Sequence, residues 1–511
     1  MKYTLSFILL LTGFFASAQL TEQQIDDVAN RTLKAFDVPG IAIAIVKDGK
    51  IIHAKGYGVR SIETKKPVDA NTLFGIASNS KAFTSAAIAM LVDEKKMDWD
   101  DKVTKYIPEF KMYNDYVTNE FTIRDLLTHR SGLGLGAGDL MIWPGGNKFN
   151  VQDIINNLQY LKPVSAFRTK YDYDNLLYIV AGEVVHRVSG ISWQDFVEQR
   201  IMKPLEMNKS AASWHRVKDS SNVIVPHVPI DGKLEVINRY TNPVFDAAAG
   251  IYSSVNDLSK WAIMQLNDGK YGEQGKQLFS EKQHREMWSP QTILPNRTSP
   301  PYNSLFRAYG LGWQLADVNG KLEVSHTGGL EGIVTKVTLF PQLDLGIIVL
   351  TNQQSGAAFS AVTNAIKDGY IGVASADYVS LYSKNVQSNE ENADKITDDI
   401  WKNVAQNIKN KVKVDAKQYV GTYKDNWFGE VTISEKKGKL YFASDRSPQL
   451  TGEMFFLKEN NFVVKWNNRY FHADAHVLFD KDHQTFKMAA ISPLTDFSYD
   501  FQDLDFHKVK M

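Results

Sequence analysis

A chain of 511 residues with 58 Lys plus Arg against 58 Asp plus Glu has no net charge, which excludes recruitment of nucleic acid or an acidic membrane surface through a long-range field. Aromatic residues at 12% fit a packed globular protein of two or more domains rather than a disordered one. Cysteine is absent, so neither a disulfide nor a lipid-modified thiol is available.

At the N-terminus, Lys2, the apolar run Leu5 to Phe15 and the small residues Ala16-Ser17-Ala18 predict a signal peptide over residues 1–18. The run is too short to cross about 30 Å of hydrocarbon. The expectation is a secreted or periplasmic protein with no membrane anchor. Residues 19–374 mix short strands with helices. Gly40 to Val46, the Asp48-Gly49 turn and Ile51 to Ala54 read as one hairpin, and Thr335 to Phe340 with Leu345 to Leu350 as another. Strands at both ends with helices between them predict an α/β sandwich with a helical subdomain. Residues 375–414 are polar and charged and read as a linker with a short helix, with Ser388 to Asn392 as a loop. Residues 415–511 alternate in short strands such as Glu430 to Ile433, Leu440 to Phe442 and Phe462 to Trp466, which predicts a small antiparallel β-barrel or sandwich.

Two Ser-x-x-Lys strings occur. Ser434-Glu435-Lys436-Lys437 ends a strand in a charged stretch and reads as solvated surface. Ser78-Asn79-Ser80-Lys81 instead opens the run Ala82 to Val92, apolar on nearly every face and therefore a buried helix. Residues three apart share a helix face, so Lys81 reaches the Ser78 hydroxyl. Burial and the positive end of the helix both disfavour a charged amine, and a neutral amine beside a serine is a general base for nucleophilic attack. Tyr173-Asp174-Asn175 precedes a second apolar helix, Leu176 to Val188. Tyr173 there is placed to move the serine proton, and Asn175 to orient Lys81 or a substrate amide. His326-Thr327-Gly328-Gly329 follows the strand-like Leu322 to Ser325. Its small residues let a substrate lie along the strand, with the amides of Gly329 and Ser78 as an oxyanion hole.

In order and context these three strings resemble the signature motifs of the serine beta-lactamase-like superfamily, which includes class C beta-lactamases, DD-peptidases, D-aminopeptidases and esterases. Thr122 to Leu133, Pro204 to Met207, Ala249 to Ser254 and Tyr309 to Trp313 add to the similarity, which runs from about Ile25 to Asn352. The C-terminal region resembles, more loosely, a lipocalin-like barrel appended to some members. The resemblance implies a beta-lactamase/transpeptidase-like α/β fold and acyl transfer through Ser78, with Lys81 and Tyr173 as proton shuttles. It also implies a small peptide or ester substrate, with no cofactor and no metal. Beta-lactamases of this group usually carry Lys where His326 stands, so a DD-peptidase or D-aminopeptidase type of peptidase leads. A carboxylesterase on the same fold is the alternative, a beta-lactamase is disfavoured, and a non-catalytic binding protein is a further reading.

His129, in a Thr-His-Arg-Ser-Gly turn, reads as a structural hydrogen-bonding residue. His472, Asp474 and His476 alternate as if on one face of a strand, and a polar barrel surface is preferred there to a zinc or copper site. No nucleic-acid partner is expected. Assembly of copies through the C-terminal domain is left open.

Overall fold

The computed structural model describes residues 19–296 and 301–509, so the expected signal peptide lies outside the described residues. Helix α1, Glu22–Ala35, leads into strands β1, Gly40–Lys47, and β2, Lys50–Gly58. Asp48 and Gly49 both take left-handed φ values, +50° and +68°, which match the twist of a tight hairpin. Six further strands complete the sheet: β3 Thr292–Leu294, β4 Arg307–Tyr309, β5 Gln314–Val318, β6 Lys321–Leu330, β7 Ile333–Phe340 and β8 Leu345–Thr351. Their order is β2-β1-β8-β7-β6-β5-β4-β3, with every neighbour antiparallel. The first strand thus closes on the last, Ile41 opposite Thr351.

Both faces of β1 are covered, which is why its sequence is continuously apolar rather than alternating. Ile41, Ile43 and Ile45 pack in one cluster with α1 and helix α5, Gly356–Ile371. Ala42, Ala44 and Val46 face the other cluster, which holds α2, Ser80–Asp93, α3, Leu176–Ser189, and α4, Val255–Leu266. Phe83 of α2 stacks on Trp261 of α4 at 4.0 Å between centroids. Helix α2 is buried along nearly its whole length, so the Ser78–Lys81 string opens into the centre of the domain.

The stretch expected to be a linker with a short helix is one helix of 32 residues, α6, Tyr378–Lys409, and Ser388 to Asn392 lie inside it. Its composition is polar because only a thin stripe is covered. Tyr378 and Val379 join the α1–α5 cluster, while Val404 joins a cluster with Val463 and Ile491 of the C-terminal region. Asp377 caps its first turn through Ser380 N at 3.2 Å and pairs with Arg31 at 2.6 Å. The helix is a strut between two domains.

Beyond it, eight strands from Gly421–Asp425 to Phe506–Lys508 form a closed antiparallel barrel, its last strand paired with its first. Phe442, Trp466, Phe486 and Phe506 fill its interior. His472, Asp474 and His476 do not share a strand face as their alternation suggested. His472 sits in a left-handed turn and donates to Pro229 O, Asp474 pairs with Arg469, and only His476 lies on a strand. Among the described residues no helix is long and apolar enough to cross a membrane.

Residues 410–413, between α6 and the barrel, are exposed and irregular and carry Lys411 and Lys413. The barrel is nevertheless tied down by Arg446 to Asp153, Gln449 to Gly145 O and Asn157 to Trp427 O. Limited trypsin treatment should cut first in that joint, and the two fragments should still co-elute on native gel filtration. Release of a free barrel without denaturant would contradict this docking.

Candidate active site

Ser78 lies in a 3-10 turn, Ala77–Asn79, and α2 itself starts two residues later than the serine. Ala77 is held at φ +51°, a conformation that costs a residue with a Cβ about 1–2 kcal/mol and is kept only where the surroundings enforce it. The enforcement comes from β7. Asn79 Nδ2 donates to Thr335 Oγ1 at 2.9 Å, and Thr335 Oγ1 donates to Ile76 O at 2.9 Å.

Lys81, fully buried, donates from Nζ to Ser78 Oγ at 3.1 Å, Asn175 Oδ1 at 2.7 Å and Ala248 O at 3.1 Å. The rings of Tyr173 and Tyr178 lie 4.8 and 5.3 Å from the same nitrogen. Burial pulls its pKa down from 10.5 to about 7, against the opposing pull of Asp139 and Asp174. Desolvation wins by about 5 kcal/mol of bias against the ammonium. The two acids are themselves buried. Asp174 is pushed up to about 7 by burial while its Oδ1 accepts Leu176 N at the start of α3. Asp139 is raised well above the ordinary range, again by burial first.

Tyr173 is partly buried above Lys81, its pKa raised by desolvation while a hydrogen bond with Ser78 pulls the other way. His326 lies within β6 rather than after it, and is 1% exposed. Its Nδ1 donates to Thr327 O at 2.6 Å, which leaves Nε2 to accept the Tyr309 hydroxyl at 2.9 Å. Burial, then the nearby Lys81, depress its pKa to about 3, so the ring is neutral. His129 accepts Asp174 N at 3.1 Å and is ringed by Tyr171, Tyr173, Tyr178 and Tyr309.

The β5–β6 pairing stops at Ser325, whereas the β6–β7 pairing continues to Leu330. One edge of His326 to Leu330 is therefore open, and it faces a cleft of about 490 Å³. Ser78, Tyr173, Asn175, His326, Thr327 and Gly329 all line that cleft, while Lys81 and Gly328 sit behind it. The barrel supplies part of the opposite wall through Phe497, Ser498 and Tyr499. The structure thus brings together every residue expected from the sequence.

Sequence reasoning missed Asp139, Tyr309 and the barrel residues. Asp139 had one signal, a lone acid in the glycine-rich apolar stretch from Gly134 to Ile142.

Family models, curated relatives and solved structures set this chain among known proteins. A beta-lactamase family model matches residues 25–368, and a domain of unknown function, DUF3471, matches residues 410–508. An unguisins hydrolase of Aspergillus campestris is 28% identical over 367 residues, 69% of this chain and 66% of that protein. Protein flp of Staphylococcus aureus is 29% identical over 340 residues, 66% of this chain and 64% of its own length. The match therefore spans slightly less than two-thirds of each of these relatives. An octameric penicillin-binding protein homologue from Pyrococcus abyssi superposes with a TM-score of 0.62 at 21% identity, covering 96% of this chain and 100% of that one. A penicillin-binding protein from Bacillus halodurans gives 0.56 at 21% identity, covering 68% of this chain and 99% of its own. These two structures share the fold.

A Cβ on Gly328 would overlap Ile76 O and come within 2.5 Å of Thr335 Oγ1, whereas one on Gly329 would meet nothing within 4 Å. Gly328→Ala should cost about 1–3 kcal/mol and lower the melting temperature, because the serine turn and β7 cannot both stay in place. Gly329→Ala should melt like the parent. Equal melting of the two variants would show that the turn is not pinned at Gly328.

Proposed function

Because this chain belongs to the serine beta-lactamase-like superfamily, most of whose members are serine hydrolases, we propose that it is an exported hydrolase cleaving an amide or ester through an acyl-enzyme on Ser78. The observation that carries this reading is the Lys81 amine, sealed from water, 3.1 Å from Ser78 Oγ and with a pKa of about 7. In this mechanism neutral Lys81 takes the hydroxyl proton as Oγ adds to the carbonyl carbon. The amides of Ser78 and Gly329 hold the resulting oxyanion. Tyr173 relays the proton to the leaving nitrogen or oxygen as its bond to carbon breaks. Water then cleaves the Ser78 ester, and the proton returns by the same path.

A peptidase of the DD-peptidase or D-aminopeptidase type is the leading substrate reading, and a carboxylesterase is the second. The cleft lining includes Glu331 and Asp496, and among the described residues lining it none is Lys or Arg. With His326 neutral and closed onto Thr327 O and the Tyr309 hydroxyl, the lining beside Ser78 presents no Lys or Arg to a substrate carboxylate. This supports the aminopeptidase or ester readings over carboxylate-bearing D-Ala-D-Ala peptides and beta-lactams. The relative named as a hydrolase supports hydrolysis.

Ser78→Ala should abolish both ester hydrolysis and labelling by a fluorophosphonate, while Ser434→Ala, on the barrel strand Gly429–Lys436 away from the cleft, should change neither. Full labelling of the Ser78→Ala protein would remove the reading. In the parent, kcat/KM should rise with pH as Lys81 loses its proton, with a midpoint near 7 and a plateau above. A substrate with a free carboxylate and its methyl ester should give parallel profiles. A decline confined to the acid would restore a cationic role to His326.

A further inference from the structure

The barrel does more than wall the cleft. Its segment 495–500 enters the hydrolase domain beside Asp139. Ser498, buried, donates to Asp139 Oδ2 at 2.9 Å. Two residues on, Asp500 accepts Gly138 N at 2.7 Å on Oδ2 and Leu140 N at 2.9 Å on Oδ1. The barrel therefore grips the backbone on both sides of Asp139 and its carboxylate as well. The approach is close enough to exclude a side chain opposite. At Gly136, φ is +70° and a Cβ would lie 2.7 Å from Phe497 O and 2.8 Å from its ring.

Asp139 leads directly to the reacting atoms. Its Oδ2 also accepts Asn175 Nδ2 at 2.8 Å, which fixes the amide so that Oδ1 faces Lys81 Nζ at 2.7 Å, and Nζ reaches Ser78 Oγ at 3.1 Å. Asp139 Oδ1 has no hydrogen-bond partner among the described residues, so Asn175 and Ser498 are the two side-chain donors to this buried carboxyl. Removing either leaves this buried carboxyl with one side-chain donor in place of two and loosens its position.

We propose that Ser498 of the C-terminal barrel is a positioning residue for the catalytic amine, acting through Asp139 and Asn175 on Lys81. The barrel is then an integral part of the hydrolase site. This inference rests on the Ser78 acyl-enzyme reading.

The test uses the full-length protein and measures saturation labelling of Ser78 by a fluorophosphonate, with thermal melting alongside. Ser498→Ala removes the hydroxyl, and Ser498→Cys keeps the shape while weakening the donor. Both should lower the maximal labelling rate about tenfold, the scale of one buried hydrogen bond. The half-saturating concentration should stay within about twofold of the parent's value, because the hydroxyl that is removed is buried against Asp139 and each variant keeps a side chain of similar size in the cleft wall. In an Asp139→Ala background, which removes the oxygen that both donors share, Ser498→Ala should change the rate by less than about twofold, since its route of action is already broken. A parent-like rate in either Ser498 variant overturns the positioning role, as does the same loss with and without the Asp139 carboxyl. A parent that takes no label at all removes the acyl-enzyme reading and the relay together, which separates the two failures.

Discussion

A lysine amine sealed in a protein interior beside a serine hydroxyl is the constraint on which this structure turns. An ammonium in that position is penalised by several kcal/mol relative to water. The site manages the penalty in two ways at once. It lets the amine be neutral near pH 7, and it supplies Asn175 Oδ1 and Ala248 O as acceptors for the protons that remain. The amine is thereby available to serve as the base in the proposed reaction. The same burial raises Asp139 and Asp174, so desolvation disfavours the charged form of the amine and of both acids around it.

Holding such a set requires rigid surroundings. The strain at Ala77 persists because Asn79 and Thr335 tie the turn to the sheet, and Gly328 is bare because the turn rests against that strand. His326 is locked between a backbone carbonyl and the Tyr309 hydroxyl, and His129 is closed in by four tyrosines. Aromatic walls keep water from restoring the lysine's charge, so packing and electrostatics serve one end. The barrel joins this arrangement through Phe497 on Tyr173 and Ser498 on Asp139, and the long helix α6 braces it against the first domain.

Local pattern determined a good deal. The Ser78–Lys81 spacing, the apolar run after it and the Asp-Gly hairpin were legible because each depends on residues within one turn or one hairpin of each other. Strand alternation made a small antiparallel barrel or sandwich legible, and the order of three short strings made the family legible; that the strands close into a barrel is seen in the pairing of the last with the first. Helix α6 was misread because a strut needs only a few covered positions in 32 residues, and composition averages these away. The alternation of His472, Asp474 and His476 misled because a left-handed turn at His472 breaks the period of two.

The neutrality of His326 and the place of Asp139 belong to tertiary structure alone. The first depends on burial and on Lys81, far away in the chain, and the second on Ser498, 359 positions away. The proposed nucleophile and its base stand three positions apart in the sequence, and one helical turn is enough to bring them together. Their protonation was not, because desolvation is set by everything packed around a group, and that packing comes from elements that meet only when the two domains dock.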